Sequence, residues 1–216
     1  LDLLQGAGAI GSPYQFHWRR FLFEQFPKGT GFPAALTAPL IKDELPLAPV
    51  QAFSVDDSST TEIDDALSVQ GLGSGTVIFG VHIAAPALAV LPDSAVDKVA
   101  RERFSTVYMP GWKLTMLPDA VVQGYTLQEG RECPAVSLYV TLDEQTLEVR
   151  GHETRVERVH IAANLRHDRL DGVVTEAALQ GEAPALYPFA TELAFCFRLA
   201  QTLKARREVV RGKPET

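Results

Sequence analysis

The sequence has little of several things at once. Its 216 residues include two cysteines, two methionines and two tryptophans. Cys133 and Cys196 lie far apart, with neither the density of a disulfide framework nor the spacing of a zinc site. Their usage fits two buried free thiols in a reducing, cytoplasmic setting. No apolar run approaches the ~18 residues that a membrane-spanning helix needs. No basic stretch followed by an apolar one marks a secretory leader. No low-complexity tract is present, and no repeat at ~20–50-residue spacing, which excludes solenoids and propellers. The chain opens on LDLLQG rather than on Met, which reads as a fragment of a longer protein.

What is present is apolar residues, 46% of the chain, enough for one large domain, or one and a half, with a real core. The net charge of −7, taken alone, argues against a nucleic-acid partner. The charge is uneven, however. The stretch VDDSSTTEIDDALSV (55–69) gathers Asp56, Asp57, Glu62, Asp64 and Asp65. The later stretch LKARREVVRGK is strongly basic, with Lys204, Arg206, Arg207, Arg211 and Lys213. Overall charge therefore decides little.

Periodicity predicts the following elements. Ser12 caps a helix with Pro13 at its first position, and Tyr14, Trp18, Phe21 and Leu22 share one face. Pro27 and Gly29 end it. So many aromatics imply burial against something, an N-terminal domain being one candidate. Residues 33–50 hold several prolines and read as a surface connector. Ala52–Val55 and Ala66–Val69 read as short strands, GLGSG as a turn, and TVIFGVHIA (76–84) as a buried strand. Asp93 is expected to cap a helix running to about Phe104, with Ala95, Val96, Val99 and Ala100 inward. VSLYVTL and LEVRGHETRVERVHIA read as two or three antiparallel strands, with Gly151 and the DEQ segment at the turns. Pro188 opens a long helix to about Val210, with a stripe of Phe189, Leu193, Cys196, Ala200 and Leu203. The fold class is α+β, a mixed or antiparallel sheet with packed helices. Residues 1–48 read as a helical lead-in and connector, and 49–216 as the main domain.

The acidic run poses an electrostatic problem. Two carboxylates ~4 Å apart repel by ~4 kcal/mol at an effective dielectric of 20. A group of them must splay into water, take up protons or share cations. The run Ser58–Thr61 disfavours helix and sheet, because hydroxyl side chains compete for the backbone. Asp56 is thus expected to end one strand and Asp64–Asp65 to begin the next, bringing both ends of a loop to one point. Oxygen-only ligands would select Mg²⁺ or Mn²⁺, and the lack of nearby His or Cys argues against zinc. A solvated acidic loop is the plain alternative. A calcium loop is disfavoured, since its sixth place would need glycine and holds Thr61.

The residues resemble a known family. VDDSSTTEIDDALSV is similar to the signature of the RNase II/RNase R exoribonucleases, the RNB catalytic domain: an aspartate, five variable residues, an aspartate, one residue, then a double aspartate and alanine. FGVHIA (79–84), SAVDKVARERFSTVYMPGWKLTMLP (94–118) and LAFCFRLAQTLKARR resemble further family stretches in the same order. The likeness runs from about residue 50 to the end. It implies a metal-dependent 3′-to-5′ exoribonuclease that hydrolyses single-stranded RNA to nucleoside 5′-monophosphates. It further implies that Asp56, Glu62, Asp64 and Asp65 are the catalytic and metal-holding acids. Asp56 and Asp65 would hold Mg²⁺ (or Mn²⁺), and Asp64 would be most tied to the chemistry. Tyr108, in TVYMPG, matches a tyrosine that stacks near the RNA 3′ end; otherwise it is an ordinary half-buried strand residue. His82 reads as structural rather than as a base. The implied partner is single-stranded RNA, with no membrane, and the protein a monomer.

The departures matter. Glu62 stands where the family usually has Asp, Ala85 where an aspartate follows HIA, and Thr115 where a proline precedes MLP. The GYTLQEG segment lacks the usual leucine-cysteine-serine-leucine pattern. The family's catalytic arginine, a later glutamate, a second stacking aromatic and the C-terminal OB-fold lie beyond this chain, so the resemblance implies roughly the first half of the catalytic domain. Two further readings stand beside the enzyme. One is a catalytically weak RNA-binding or regulatory member of the same fold. The other is an unrelated protein with a structural cation in its acidic loop.

Overall fold

The computed structural model describes residues 1–34, 36, 41 and 44–214. In chain order the elements are α1 (Asp2–Gly6), α2 (Pro13–Gln25), β1 (Leu47–Asp56), β2 (Asp65–Gln70), β3 (Thr76–Ala84), α3 (Ala95–Arg103), β4 (Val107–Met109) and β5 (Trp112–Leu114). There follow α4 (Asp119–Tyr125), β6 (Glu132–Asp143), β7 (Val149–Arg166), α5 (His167–Leu170), α6 (Glu176–Leu179) and α7 (Ala190–Arg211), with a short 3₁₀ turn at Pro86–Leu88. The chain forms two compact units, Leu1–Thr37 with Pro92–Asp119, and Ala38–Leu91 with Ala120–Thr216. The α+β expectation holds.

The second unit is a closed five-stranded barrel in the order β1-β2-β3-β6-β7. Four of its seams are antiparallel, and β1 closes it by running parallel to β7. Strand residues alternate between inside and outside. Inside, Ala52, Ala66, Ala135, Val159 and Ile161 are fully buried and pack with Ile63, Leu127 and Cys133. Gly80 also faces inward because there is no room for more: a Cβ there would sit 2.3 Å from Ser68 Oγ and 2.8 Å from His82 Nε2. Outside, α7 lays Phe195 and Leu199 over Val77, Leu142 and Leu147. Phe53 is completely buried and stacks on Phe189, ring centres 4.6 Å apart.

His82 has no exposed surface, and its ring bridges Ser68 Oγ (2.9 Å) and Ser137 Oγ (2.8 Å). Burial pushes its pKa down to about 4, so it sits neutral, as a structural bridge. Tyr139 donates to the buried Glu157 carboxylate at 2.6 Å. Both cysteines are free thiols, Cys133 buried and Cys196 partly so, and desolvation raises both pKa values, that of Cys196 to about 12.

In the first unit, Ser12 caps α2 as expected, its Oγ accepting from Gln15 N–H at 3.1 Å. The aromatic face of α2 meets the β4–β5 hairpin: Tyr14 donates to the Pro110 carbonyl at 2.7 Å and Trp18 stacks on Trp112 at 6.0 Å. Arg103 of α3 donates to the carbonyls of Thr30, Gly31 and Thr115 and lies 3.6 Å over the Phe32 ring.

Several expectations need correction. The connector over 33–50 falls partly outside the described residues, and from Leu47 it is already β1. Ser94, not Asp93, caps α3, because Ser94 Oγ accepts from Asp97 N–H while Asp93 takes a left-handed φ of 62°. LEVRGHETRVERVHIA is mostly one strand of 18 residues, β7, and Gly151 lies within it beside a register shift opposite Thr141. The long helix starts at Ala190, after a left-handed Phe189, and its buried stripe is Phe195 and Leu199, with Ala200 and Leu203 exposed. No helix among the described residues is long and apolar enough to cross a membrane.

Candidate functional site

The loop between β1 and β2 is held at four places. Asp57 first folds it on itself: its carboxylate accepts from Ser59 Oγ (2.6 Å) and Ser59 N–H (2.8 Å), which together hold its pKa below the usual carboxylate range. Next, Arg166 at the end of β7 donates through Nη1 to the carbonyls of Asp57 (3.0 Å) and Thr60 (3.1 Å). Ser58 Oγ reaches Asp168 Oδ1 at 2.5 Å. Finally, Ile63 is buried in the barrel core, its N–H donating to Thr126 Oγ1 and its carbonyl accepting from Leu127 N–H.

This anchoring decides where the acids lie. Asp56 ends β1, half-buried, and its Oδ2 accepts from Ser54 Oγ at 2.5 Å. On either side of the buried Ile63, Glu62 is half-buried and Asp64 exposed. The Asp64 carbonyl accepts from Ala84 N–H. Asp65 opens β2 opposite Ile83, exposed, its carboxylate without a partner among the described residues. Phe53 pairs with Leu67, and continuing that antiparallel register sets Asp56 across from Asp64. Asp56, Asp64 and Asp65 therefore stand at one end of the barrel. Asp57 is absorbed in shaping the loop.

Tyr108 belongs to the other compact unit. It lies in β4 paired with Lys113 of β5, and the Lys113 ammonium is 5.6 Å from the centre of its ring. The residue is 69% exposed, so it is not the half-buried strand residue of the plain alternative.

Sequence reasoning missed Ser54, Asn164, Arg166 and Asp168. The last three come from the far end of the sequence and reach the loop only because β7 closes the barrel beside β1. A cleft of about 420 Å³ opens alongside, lined by Thr60, Thr61, Gln123, Gln128, Arg166 and Arg169. Arg169 has no partner among the described residues. A guanidinium beside a polar cleft suits a phosphate, whose oxygens match its forked donors.

The donor set fits Mg²⁺ in kind, since it is all hard carboxylate oxygen. Among the described residues no three His, Cys, Asp or Glu side chains gather closely enough to hold a metal by themselves. Mg²⁺ does not require that. It is commonly held by about one or two carboxylates, with substrate phosphates and water filling the rest of its shell. The acids at this end of the barrel suit a cation that substrate completes.

The family model of the RNB domain matches residues 46–212. Exoribonuclease 2 of Vibrio cholerae is 34% identical over 130 residues, which are 60% of this chain and 19% of that protein. Solved structures share the fold, among them these two. Yeast Ssd1, described as a pseudonuclease, superposes with a TM-score of 0.67 at 23% identity, covering 86% of this chain and 22% of Ssd1. Mycoplasma genitalium RNase R, in complex with ribose-methylated single-stranded RNA, gives 0.63 at 19% identity, covering 82% of this chain and 27% of RNase R. The chain spans 12–19% of the length of the curated relatives it matches and 22–32% of the solved chains.

Proposed function

Because the chain belongs to the RNB-domain family, we propose that the protein hydrolyses single-stranded RNA from its 3′ end, releasing nucleoside 5′-monophosphates with the help of Mg²⁺. The observation that carries this reading is the barrel register, which brings Asp56, Asp64 and Asp65 to one end of the barrel on a loop pinned by Arg166. Such hydrolysis adds water to the phosphorus and breaks its bond to the 3′ oxygen of the preceding nucleotide, which leaves as a hydroxyl. A bound divalent cation supplies neutralisation of phosphate charge and a more acidic water.

The chain's own residues do the rest. Asp56 presents its second carboxylate oxygen, and Asp65 both of its oxygens, to whatever enters. Asp64 adds negative charge at the same end of the barrel, and Glu62 carries its charge two residues earlier in the loop. Glu62 keeps the charge of the family's usual aspartate but carries it a methylene further out. Arg166 and Arg169 offset acidic repulsion and favour an incoming phosphodiester. Tyr108 offers an exposed ring for base stacking, worth ~1–3 kcal/mol per base and tolerant of sequence. RNase R seen with single-stranded RNA supports RNA as the ligand class.

The test is a 5′-labelled single-stranded RNA incubated with the full-length protein and Mg²⁺, beside Asp64→Asn. We expect shortening from the 3′ end that Asp64→Asn slows by at least about a hundredfold, with RNA affinity within about twofold. RNA binding without degradation by the unaltered protein would replace this reading by that of a non-cleaving RNA binder; a neighbour in fold, Ssd1, is described as a pseudonuclease. Failure to bind RNA would defeat both.

A further inference from the structure

Asp56 is oriented by a hydrogen-bond chain that begins more than a hundred positions away in sequence. Ser54 lies two residues earlier on the same face of β1, 2% exposed, and donates to Asp56 Oδ2 at 2.5 Å. The parallel register sets Ser54 beside Asn164 of β7, and Asn164 Nδ2 donates to Ser54 Oγ at 2.9 Å.

The direction of this chain is fixed by its far end. Asn164 Oδ1 accepts from Glu129 N–H at 2.8 Å, and Nδ2 also donates to the Leu127 carbonyl at 2.9 Å. A backbone N–H needs an acceptor and a carbonyl needs a donor, so the amide can stand only one way round. Its NH₂ therefore faces Ser54. Ser54 has one proton, its oxygen already receives one from Asn164, and so its own proton goes to Asp56. A neutral hydroxyl donating to a carboxylate is a charge-assisted bond, short and directional. It ties down Oδ2, and Oδ1 has no partner among the described residues.

We propose that Ser54 and Asn164 are positioning residues that aim Asp56 Oδ1 at a divalent cation and its bound phosphate. This rests on reading the acidic loop as a cation site. Neither residue touches substrate. Their effect passes through Asp56 alone, and loss of such an outer partner commonly costs ~10–100-fold in metal affinity or activity.

The experiment uses Mn²⁺ as the probe. Binding to the full-length protein is followed by electron paramagnetic resonance, and RNA hydrolysis is measured in parallel with kcat and KM resolved. Ser54→Ala should weaken Mn²⁺ binding and lower kcat by ~10–100-fold, leaving KM for RNA and the melting temperature close to native. Ser54→Thr keeps the hydroxyl and should restore both. Asn164→Asp cannot donate to Ser54, so it should resemble Ser54→Ala, and the double variant should be no worse than either alone. If Ser54→Ala binds Mn²⁺ like the native protein with unchanged kcat, or if Thr fails as badly as Ala, the relay is refuted while the cation site stands. A native protein that binds no Mn²⁺ refutes the cation site itself.

Discussion

Lowering the pH from 7 to 5 should cost the fold about 2 kcal/mol through one side chain, His82. Its ring is buried between Ser68 and Ser137, and desolvation lowers its pKa from an ordinary 6.5 to about 4. In the unfolded chain the ring takes a proton from about pH 6.5 downward, whereas in the barrel it stays neutral until about pH 4. Between those values the unfolded state holds more protons, so stability falls as pH falls. The gap between 6.5 and about 4 sets a ceiling of about 3 kcal/mol, at ~1.4 kcal/mol per pH unit. Roughly two-thirds of it is lost by pH 5. Other perturbed acids lie outside this window. Asp143, held at about 2 chiefly by the Thr146 N–H and Arg150, and Glu144, held low by the N–H groups of Gly73 and Gly75, lose their contribution only below about pH 4.5. Thermal unfolding followed by circular dichroism at the two pH values is the assay. The expected drop is ~4–8 °C for a chain of this size. In His82→Gln, which cannot titrate, the melting temperature should be lower at pH 7 but nearly flat between pH 7 and 5. An equal drop in both proteins would refute the assignment.

Two other substitutions probe the same barrel. Gly80→Ala forces a Cβ to within 2.3 Å of Ser68 Oγ, and the His82 bridge must give way. Urea unfolding should show a loss of about 1–3 kcal/mol, and an unchanged midpoint would mean that the interior has spare room. Arg166→Ala removes the two bonds to the Asp57 and Thr60 carbonyls. Amide exchange in residues 57–61 should then speed up by at least about tenfold, as for a local loss of 1–3 kcal/mol, with β3 and β6 unchanged. Equal acceleration in the strands would show that Arg166 supports the whole barrel rather than its loop.

Much of this molecule could be read from its residues. TVIFGVHIA is a β-rich run with turn residues before it and a proline soon after, and β3 spans the same residues, Thr76–Ala84. Ser12-Pro13 fixes the start of α2 because cap and φ constraint are both local. The acidic loop was legible for the same reason, since charge density and hydroxyl chemistry act within one short stretch. Errors arose where a residue has two uses. Gly151 suits a turn, but here it serves a register shift inside β7. Asp93 and Ser94 are both good caps, and the left-handed backbone at Asp93 leaves the role to Ser94. The stripe of α7 was misphased because both faces of that helix carry apolar residues, and only contact with Val77 and Leu142 selects Phe195 and Leu199. The parallel seam of β1 with β7 left no local mark, and with it Asn164, Arg166 and Asp168 stayed invisible.

That seam governs the order in which the protein can be assembled. The bond from Asn164 to Ser54 spans 110 positions, whereas the seams β2–β3 and β6–β7 join strands next to one another in sequence. Closing so long a loop exacts its entropy before any contact rewards it, so this pairing is expected to come late and slowly. On a ribosome, β1 and the acidic loop emerge well before the strand that clasps them. Until β7 docks, Asp56 has no fixed direction and Arg166 is not there to hold the loop. On the proposed reading the carboxylates are thus present early but disarmed, and a chain cut short before Asn164 would carry all four acids without the bond that orients Asp56 through Ser54.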